Sequence, residues 1–220
     1  MKEIINVKNV VLGYNYNSIL KTNFKIVEGD FCVVSGSNAS GKSLLLKLLY
    51  LKVLPLEGEI YFYGNRISKN SKKQILQIRK KIGVILKNDT LIPFFSVFQN
   101  LELASEIQCE KKDFDNRINE ILEWLDLHDL KHKVVAKLST GQKQMIIIAR
   151  ALIGNPKILI ADQPESYLDE KTKDKLFYLL DFINGIGTTI ILATNRTYLK
   201  QRKYKIINLD TKINEKDIAD

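Results

Sequence analysis

The chain is poor in the residues that staple, break or loosen a fold. It has two cysteines in 220 residues, Cys32 inside an apolar run and Cys109 near a charged one, far apart and without the CxxC spacing of metal or redox sites. A disulfide framework and a zinc site are both excluded, and the two are expected to be free thiols in a reducing compartment. Only 4 Pro and 11 Gly leave little room for disordered linkers or low-complexity segments. No run reaches the roughly 18 apolar residues of a membrane span, and the opening MKEIINVKNVV lacks an apolar core with a cleavage site. The expectation is a cytoplasmic chain whose membrane contact comes through a partner. Arginine is scarce as well, standing only at 66, 79, 117, 150, 196 and 202. The net charge of +9 is therefore carried by lysines spread along the chain. No dense basic patch interleaved with aromatics appears, so the charge reads as solvated surface and no nucleic acid partner is expected.

What remains, 45% hydrophobic and 27% charged residues, suits one large domain with a real core. Runs rich in β-branched and aromatic residues recur at 4–11, 24–27, 31–34, 59–63, 82–86, 158–161, 188–193 and 204–209. Helical spacing of apolar residues appears at 44–51, 114–127, 142–152 and 171–183. The later strands and helices alternate as in a mostly parallel sheet. Short turns such as Glu28-Gly29-Asp30 separate the earlier strands and predict an antiparallel β subdomain. The stretch 99–137 reads as consecutive helices with no strand between them, which predicts an inserted helical subdomain at about 97–140. The expected organisation is one α/β domain over 1–210 with a polar tail at 211–220.

The segment Gly36-Ser37-Asn38-Ala39-Ser40-Gly41-Lys42-Ser43 matches G-x-x-x-x-G-K-[ST] at every fixed position, directly after a strand-like run and directly before a helical one. Glycines let the backbone wrap closely, so that its N–H groups and the helix N-terminus face a β-phosphate. Lys42 is expected to reach the β- and γ-phosphates and Ser43 to bind Mg2+ through its hydroxyl. This is the P-loop of nucleoside triphosphate-binding proteins, and by itself it does not say which machine. The run Lys157-Ile158-Leu159-Ile160-Ala161-Asp162 is an apolar strand ending in an acid, which makes Asp162 the second Mg2+-associated residue.

Between these two lies Leu138-Ser139-Thr140-Gly141-Gln142, which in isolation also reads as an ordinary N-cap of the helix that follows. Together with Ala149-Arg150-Ala151-Leu152 and its place between the P-loop and Asp162, it resembles the LSGGQ signature of ATP-binding cassette (ABC) ATPases. The resemblance covers nearly the whole chain and implies a P-loop α/β fold with an antiparallel β subdomain and an inserted helical subdomain. It also implies ATP and Mg2+ as cofactors. Ser139 and Gly141 would serve the γ-phosphate held by the opposite subunit of a dimer, and Tyr14, with Tyr16 as second choice, would stack on adenine. Pro164-Glu165-Ser166-Tyr167-Leu168-Asp169 resembles the family's D-loop and puts Asp169 near the dimer interface. The dimer is a homodimer or a heterodimer with another ABC subunit. The short length and the stretch 83–93 look most like the FtsE-type cell-division subunit, which implies a transmembrane FtsX-type partner. Subunits of the lipoprotein-release and export type look similar and imply a permease and a fully active ATPase. Either way the location implied is peripheral, on the inner face of the cell membrane. A partner is expected beside the loop after Lys87, where Phe94, Phe95, Val97 and Phe98 form an apolar cluster. DNA-repair and ribosome types carry long coiled-coil inserts or two cassettes, and neither is present. A small-molecule kinase leaves 138–142 unexplained.

The catalytic positions depart from the family. Where a Glu polarises the attacking water the chain has Gln163, an amide that cannot accept its proton near neutral pH. Lys87 stands at the Q-loop position, and an ammonium cannot ligate a metal, though it can neutralise a γ-phosphate. Asn195 stands for the switch His, and Thr140 for a glycine of the signature. Each altered residue belongs to γ-phosphate chemistry, while the cradle is intact. The expectation is tight MgATP binding with weak hydrolysis. Glu165 is a possible substitute carboxylate, turned elsewhere by the intervening Pro164.

Overall fold

The computed structural model describes residues 2–14, 17–37, 39–87, 90–108, 114–194 and 204–210. The strands among them divide between two sheets. β1 (Glu3–Tyr14), β2 (Asn17–Val27), β4 (Glu57–Phe62) and β5 (Asn65–Arg66) form an antiparallel sheet in the order β2-β1-β4-β5. β3 (Phe31–Ser35), β6 (Ile82–Ile85), β7 (Ile158–Asp162), β8 (Thr189–Ala193) and β9 (Lys205–Asn208) form a parallel sheet in the order β6-β7-β8-β3-β9. The turn Glu28-Gly29-Asp30 joins β2 to β3 and so leads from one sheet to the other rather than between two strands of one sheet. Burial explains the split. β2 alternates, with Leu20, Thr22 and Ile26 buried between exposed Lys21, Asn23 and Lys25, as in a sheet with one wet face. Phe31 to Val34 of β3 and all of β7 and β8 are buried, as parallel strands covered on both faces must be.

The two faces of the parallel sheet supply two hydrophobic cores. Because successive side chains point to opposite faces, Ile158 and Ile160 of β7 join one core while Leu159 and Ala161 join the other. The first core also takes Cys32 and Val34, the leucines of α1 (Lys42–Leu49) and the inner face of the antiparallel sheet. The second receives α3 (Val97–Gln108), α4 (Phe114–Trp124), α5 (Thr140–Leu152) and α6 (Glu170–Gly185). α1 is anchored by Leu45, Leu46, Leu48 and Leu49, none of which has any exposed surface. Emptying one such site, as in Leu48→Ala, typically costs about 2–5 kcal/mol.

Between β6 and α5 the chain contains α3, α4 and two 3-10 turns, His128–Leu130 and Val135–Lys137, with a single bridge between Ser96 and Val134. Two elements were not foreseen. α2 (Lys72–Arg79) has only Ile78 buried and is held by Arg79, which donates to the carbonyls of Tyr50 and Leu51. β5 is a two-residue return strand. Among the described residues no helix is long and apolar enough to cross a membrane. Cys32 is buried and free, and burial pushes its thiol up to about 12, so it behaves as a small apolar side chain. Cys109 and the tail 211–220 lie outside the described residues.

Candidate functional site

The loop 36–41 leaves the buried strand β3 and turns directly into α1. Gly41, the residue before the helix, has φ +94, a left-handed backbone that a side chain would strain. A Cβ on Gly36 would stand 2.4 Å from Ser40 Oγ and 3.2 Å from Leu209 Cβ, so a side chain there would have to displace the Ser40 hydroxyl. Ala39 adopts φ +65 without being glycine, a strained position of the kind found at ligand-binding loops. No side chain caps α1, which leaves its first N–H groups to face the loop's concave side. Lys42 folds over the loop, and its Nζ donates to the carbonyls of Gly36 at 2.6 Å and Ser37 at 2.8 Å.

Asp162, 7% exposed at the end of β7, meets the same helix end from two strands away in the same sheet. Ser43 Oγ donates to Asp162 Oδ2 at 2.7 Å. A cavity of about 310 Å³ opens here, and its lining includes Ala39, Lys42, Ser43, Lys87, Asp162 and Gln163. The structure thus brings together the loop, the strand-end acid and two of the altered positions, residues up to 124 apart in sequence from Ala39 to Gln163. Ser40 Oγ is buried in the loop without a hydrogen-bond partner among the described residues. Gln163 is half-buried with φ +50, pinned by its N–H to the Ala193 carbonyl at 2.8 Å, while Lys87 is exposed at the cavity's rim.

Glu165 does not line this cavity. Its carboxylate accepts a hydrogen bond from Thr194 at the end of β8, and its second oxygen is buried without a partner among the described residues. Ser139 and Gly141 also lie outside the cavity's lining. Ser139 caps α5 in a capping box: its Oγ accepts from Gln142 N at 3.2 Å, and Gln142 Oε1 accepts from Ser139 N at 3.0 Å. A Cβ on Gly141 would stand 3.2 Å from the Tyr167 carbonyl, and Gln144 Nε2 donates to the Pro164 carbonyl at 2.9 Å. The start of α5 is therefore knit to the segment 163–169. Asp169 caps α6 through Thr172, whose N–H and hydroxyl hold its carboxyl below the usual aspartate range.

The apolar cluster after Lys87 separates in the structure. Phe94 is 74% exposed with its ring edge-on to Phe95, whereas Val97 is fully buried and Phe98 packs on the helical core under Lys131. Val97 thus belongs to the interior because it begins α3, not to a surface. Asn38, Tyr16 and Asn195 lie outside the described residues, as does the side chain of Tyr14, whose backbone ends β1. One contact was not foreseen: Asp210, just past β9, accepts hydrogen bonds from Ser37 of the loop. Only β9's pairing with β3 brings it there, and no local motif signals it.

The family model described as ABC transporter matches residues 19–166. The chain is 34% identical over 213 residues to the cell division ATP-binding protein FtsE of Streptococcus pneumoniae, covering 94% of this chain and 92% of that protein. It is 35% identical over 196 residues to the methionine import ATP-binding protein MetN of Clostridium acetobutylicum, covering 88% of this chain and 61% of that one. Among solved structures it resembles a dimeric ATP-binding cassette bound to ADP and Pi, with a TM-score of 0.84, 31% identity, and coverage of 93% of this chain and 94% of that one. Fold, loop geometry and sequence likeness agree that the chain belongs to the ABC transporter family, as one of its ATP-binding subunits.

Proposed function

We propose that the chain binds MgATP on the loop 36–43, pairs with a second cassette around it, and gates a transmembrane partner while hydrolysing slowly. The observation that carries this reading is the single cavity shared by Lys42, Ser43 and Asp162 with Gln163 and Lys87. The Lys42 ammonium spends two of its three donors on the Gly36 and Ser37 carbonyls and keeps a third for a phosphate oxygen, a charge-assisted contact. Ser43 Oγ and the Asp162 carboxylate, 2.7 Å apart, form an oxygen pair that fits a hard cation and would hold Mg2+, with Ser40 Oγ left free for a phosphate oxygen. Bound there, Mg2+ supplies charge neutralisation between the phosphates. Tyr14 stacks on the base, and Asn195 contacts the γ-phosphate.

Ser139 and Gly141 act on the nucleotide of the opposite subunit, in a homodimer or a heterodimer with another ABC subunit. Their position outside the cavity of their own chain supports this, as does the dimeric cassette among the similar structures. The likeness to a cell division ATP-binding protein supports an FtsX-like partner, or otherwise an integral membrane permease, with the chain peripheral on the inner face of the cell membrane. The partner docks at exposed Phe94. No nucleic acid takes part.

Weak hydrolysis follows from Gln163 and Lys87. Loss of a general base typically costs about 10²–10⁴ in rate. The test is paired MgATP binding and steady-state ATPase on the purified chain, with Gln163→Glu alongside. Tight binding with negligible turnover, not restored by that single change, is expected because several positions are altered. Turnover at the rate of an ordinary ATPase, abolished by Lys42→Ala, overturns the gating reading. It would favour instead a working ATPase of the export or lipoprotein-release type.

A further inference from the structure

The far end of the described chain returns to the phosphate loop. β9 runs parallel to β3 with Asn208 opposite Ser35, and Leu209 N donates to the Ser35 carbonyl at 2.9 Å. The residue after Leu209 therefore lies beside the loop that leaves β3. Asp210 meets Ser37 there: the Ser37 N–H lies 3.0 Å from Oδ1 and 2.9 Å from Oδ2, and Ser37 Oγ donates to Oδ1 at 2.9 Å. Asp210 is itself oriented by its N–H, which donates to Asn208 Oδ1 at 3.0 Å.

The Ser37 N–H and the Gly36 carbonyl belong to one planar peptide unit and point in opposite directions. That unit gives its N–H to Asp210 and takes the Lys42 ammonium on its carbonyl at 2.6 Å. Turning the plane moves both contacts together. A carboxylate suits this task, because it has acceptor sites for all three hydrogen bonds, whereas an amide would turn two donors of its own toward the loop. We propose that Asp210 is a positioning residue of the phosphate loop: it fixes the plane of the Gly36–Ser37 peptide and thereby the place from which Lys42 meets a phosphate. This rests on the reading that the loop holds a nucleotide. The bonds from Ser37, aided by the nearby Lys42 charge, hold the Asp210 carboxyl below the usual aspartate range, so all three bonds persist at neutral pH.

The experiment uses the full chain and three readouts: MgATP affinity by calorimetry, thermal melting without nucleotide, and the NMR signal of the Lys42 ammonium without nucleotide. Asp210→Ala is expected to weaken MgATP binding about tenfold, the scale of one lost charge-assisted hydrogen bond. Melting should barely move and the Lys42 signal should shift. Asp210→Asn, closer in shape, should fall between and serves if the alanine variant does not fold. Unchanged affinity, or an unmoved Lys42 signal, in the folded variant overturns the inference alone. A wild-type chain without affinity for MgATP overturns the nucleotide reading and this inference with it.

Discussion

Three helices of the parallel half begin near one end of the sheet, and they begin differently. α1 starts at Gly41 with no side-chain cap, while α5 and α6 are closed by Ser139 and Asp169. An uncapped helix end keeps all its first N–H groups for something outside the chain; a capped end has given one of them to its own side chain. The difference separates the end that offers all its first N–H groups to a phosphate from two ends that keep one of them for their own cap. It also limits what Ser139 can offer a second subunit. Its oxygen already accepts from Gln142, so its hydroxyl proton is the group left to donate.

Substitutions at the two kinds of helix start sharpen the contrast. The largest effect is expected at the open end, where Lys42→Ala should weaken MgATP binding on the order of 10²-fold, through lost charge-assisted contacts, with little change in melting without nucleotide. Calorimetry beside a melting curve checks it, and comparable losses in both would erase the distinction. At a closed end the sign pattern reverses. Ser139→Ala should cost about 1 kcal/mol of stability in denaturant unfolding of the single chain, as loss of an N-cap does. The same variant should leave MgATP binding to the isolated chain unaltered, since Ser139 is outside its own cavity. The smallest effect concerns pH. Because the Asp169 carboxyl is depressed in the fold by its bonds to Thr172, its contribution is complete above about pH 4 and is lost as pH falls through the folded value. The gap in melting temperature between wild type and Asp169→Asn should narrow as pH drops from 6 toward 3. A constant gap would mean that the cap does not depend on charge.

Legibility in the sequence followed the range of the interactions. The loop 36–43, the strand ending in Asp162 and the helix after Ser139 were all readable, because each is a short run whose residue types meet a local need: close backbone approach, a buried strand, an N-cap. α2 was not, since KKQILQIR offers three apolar residues of which one is buried, too few to reveal a period. The first half of β2, NSILKTN, was missed for a similar reason: Ser18, Lys21 and Asn23 face water, and pairing with β1 is what extends the strand. The membership of Phe94 and Val97 in one cluster failed because neighbours in sequence point to different surroundings once α3 begins.

By itself the sequence determined the chemistry on offer at the candidate site: the lysine and serine after the loop, the acid at the end of β7, and the amide and ammonium at Gln163 and Lys87. Those are choices of side chain, legible wherever the chain goes. Only tertiary structure decided which of them share a cavity, that Glu165 turns to Thr194 instead, and that Asp210, 173 residues from Ser37, closes on the loop. The reason is that a parallel sheet orders its strands by packing and crossover, not by sequence, so neighbours at its edge are set by β6-β7-β8-β3-β9 and by nothing local.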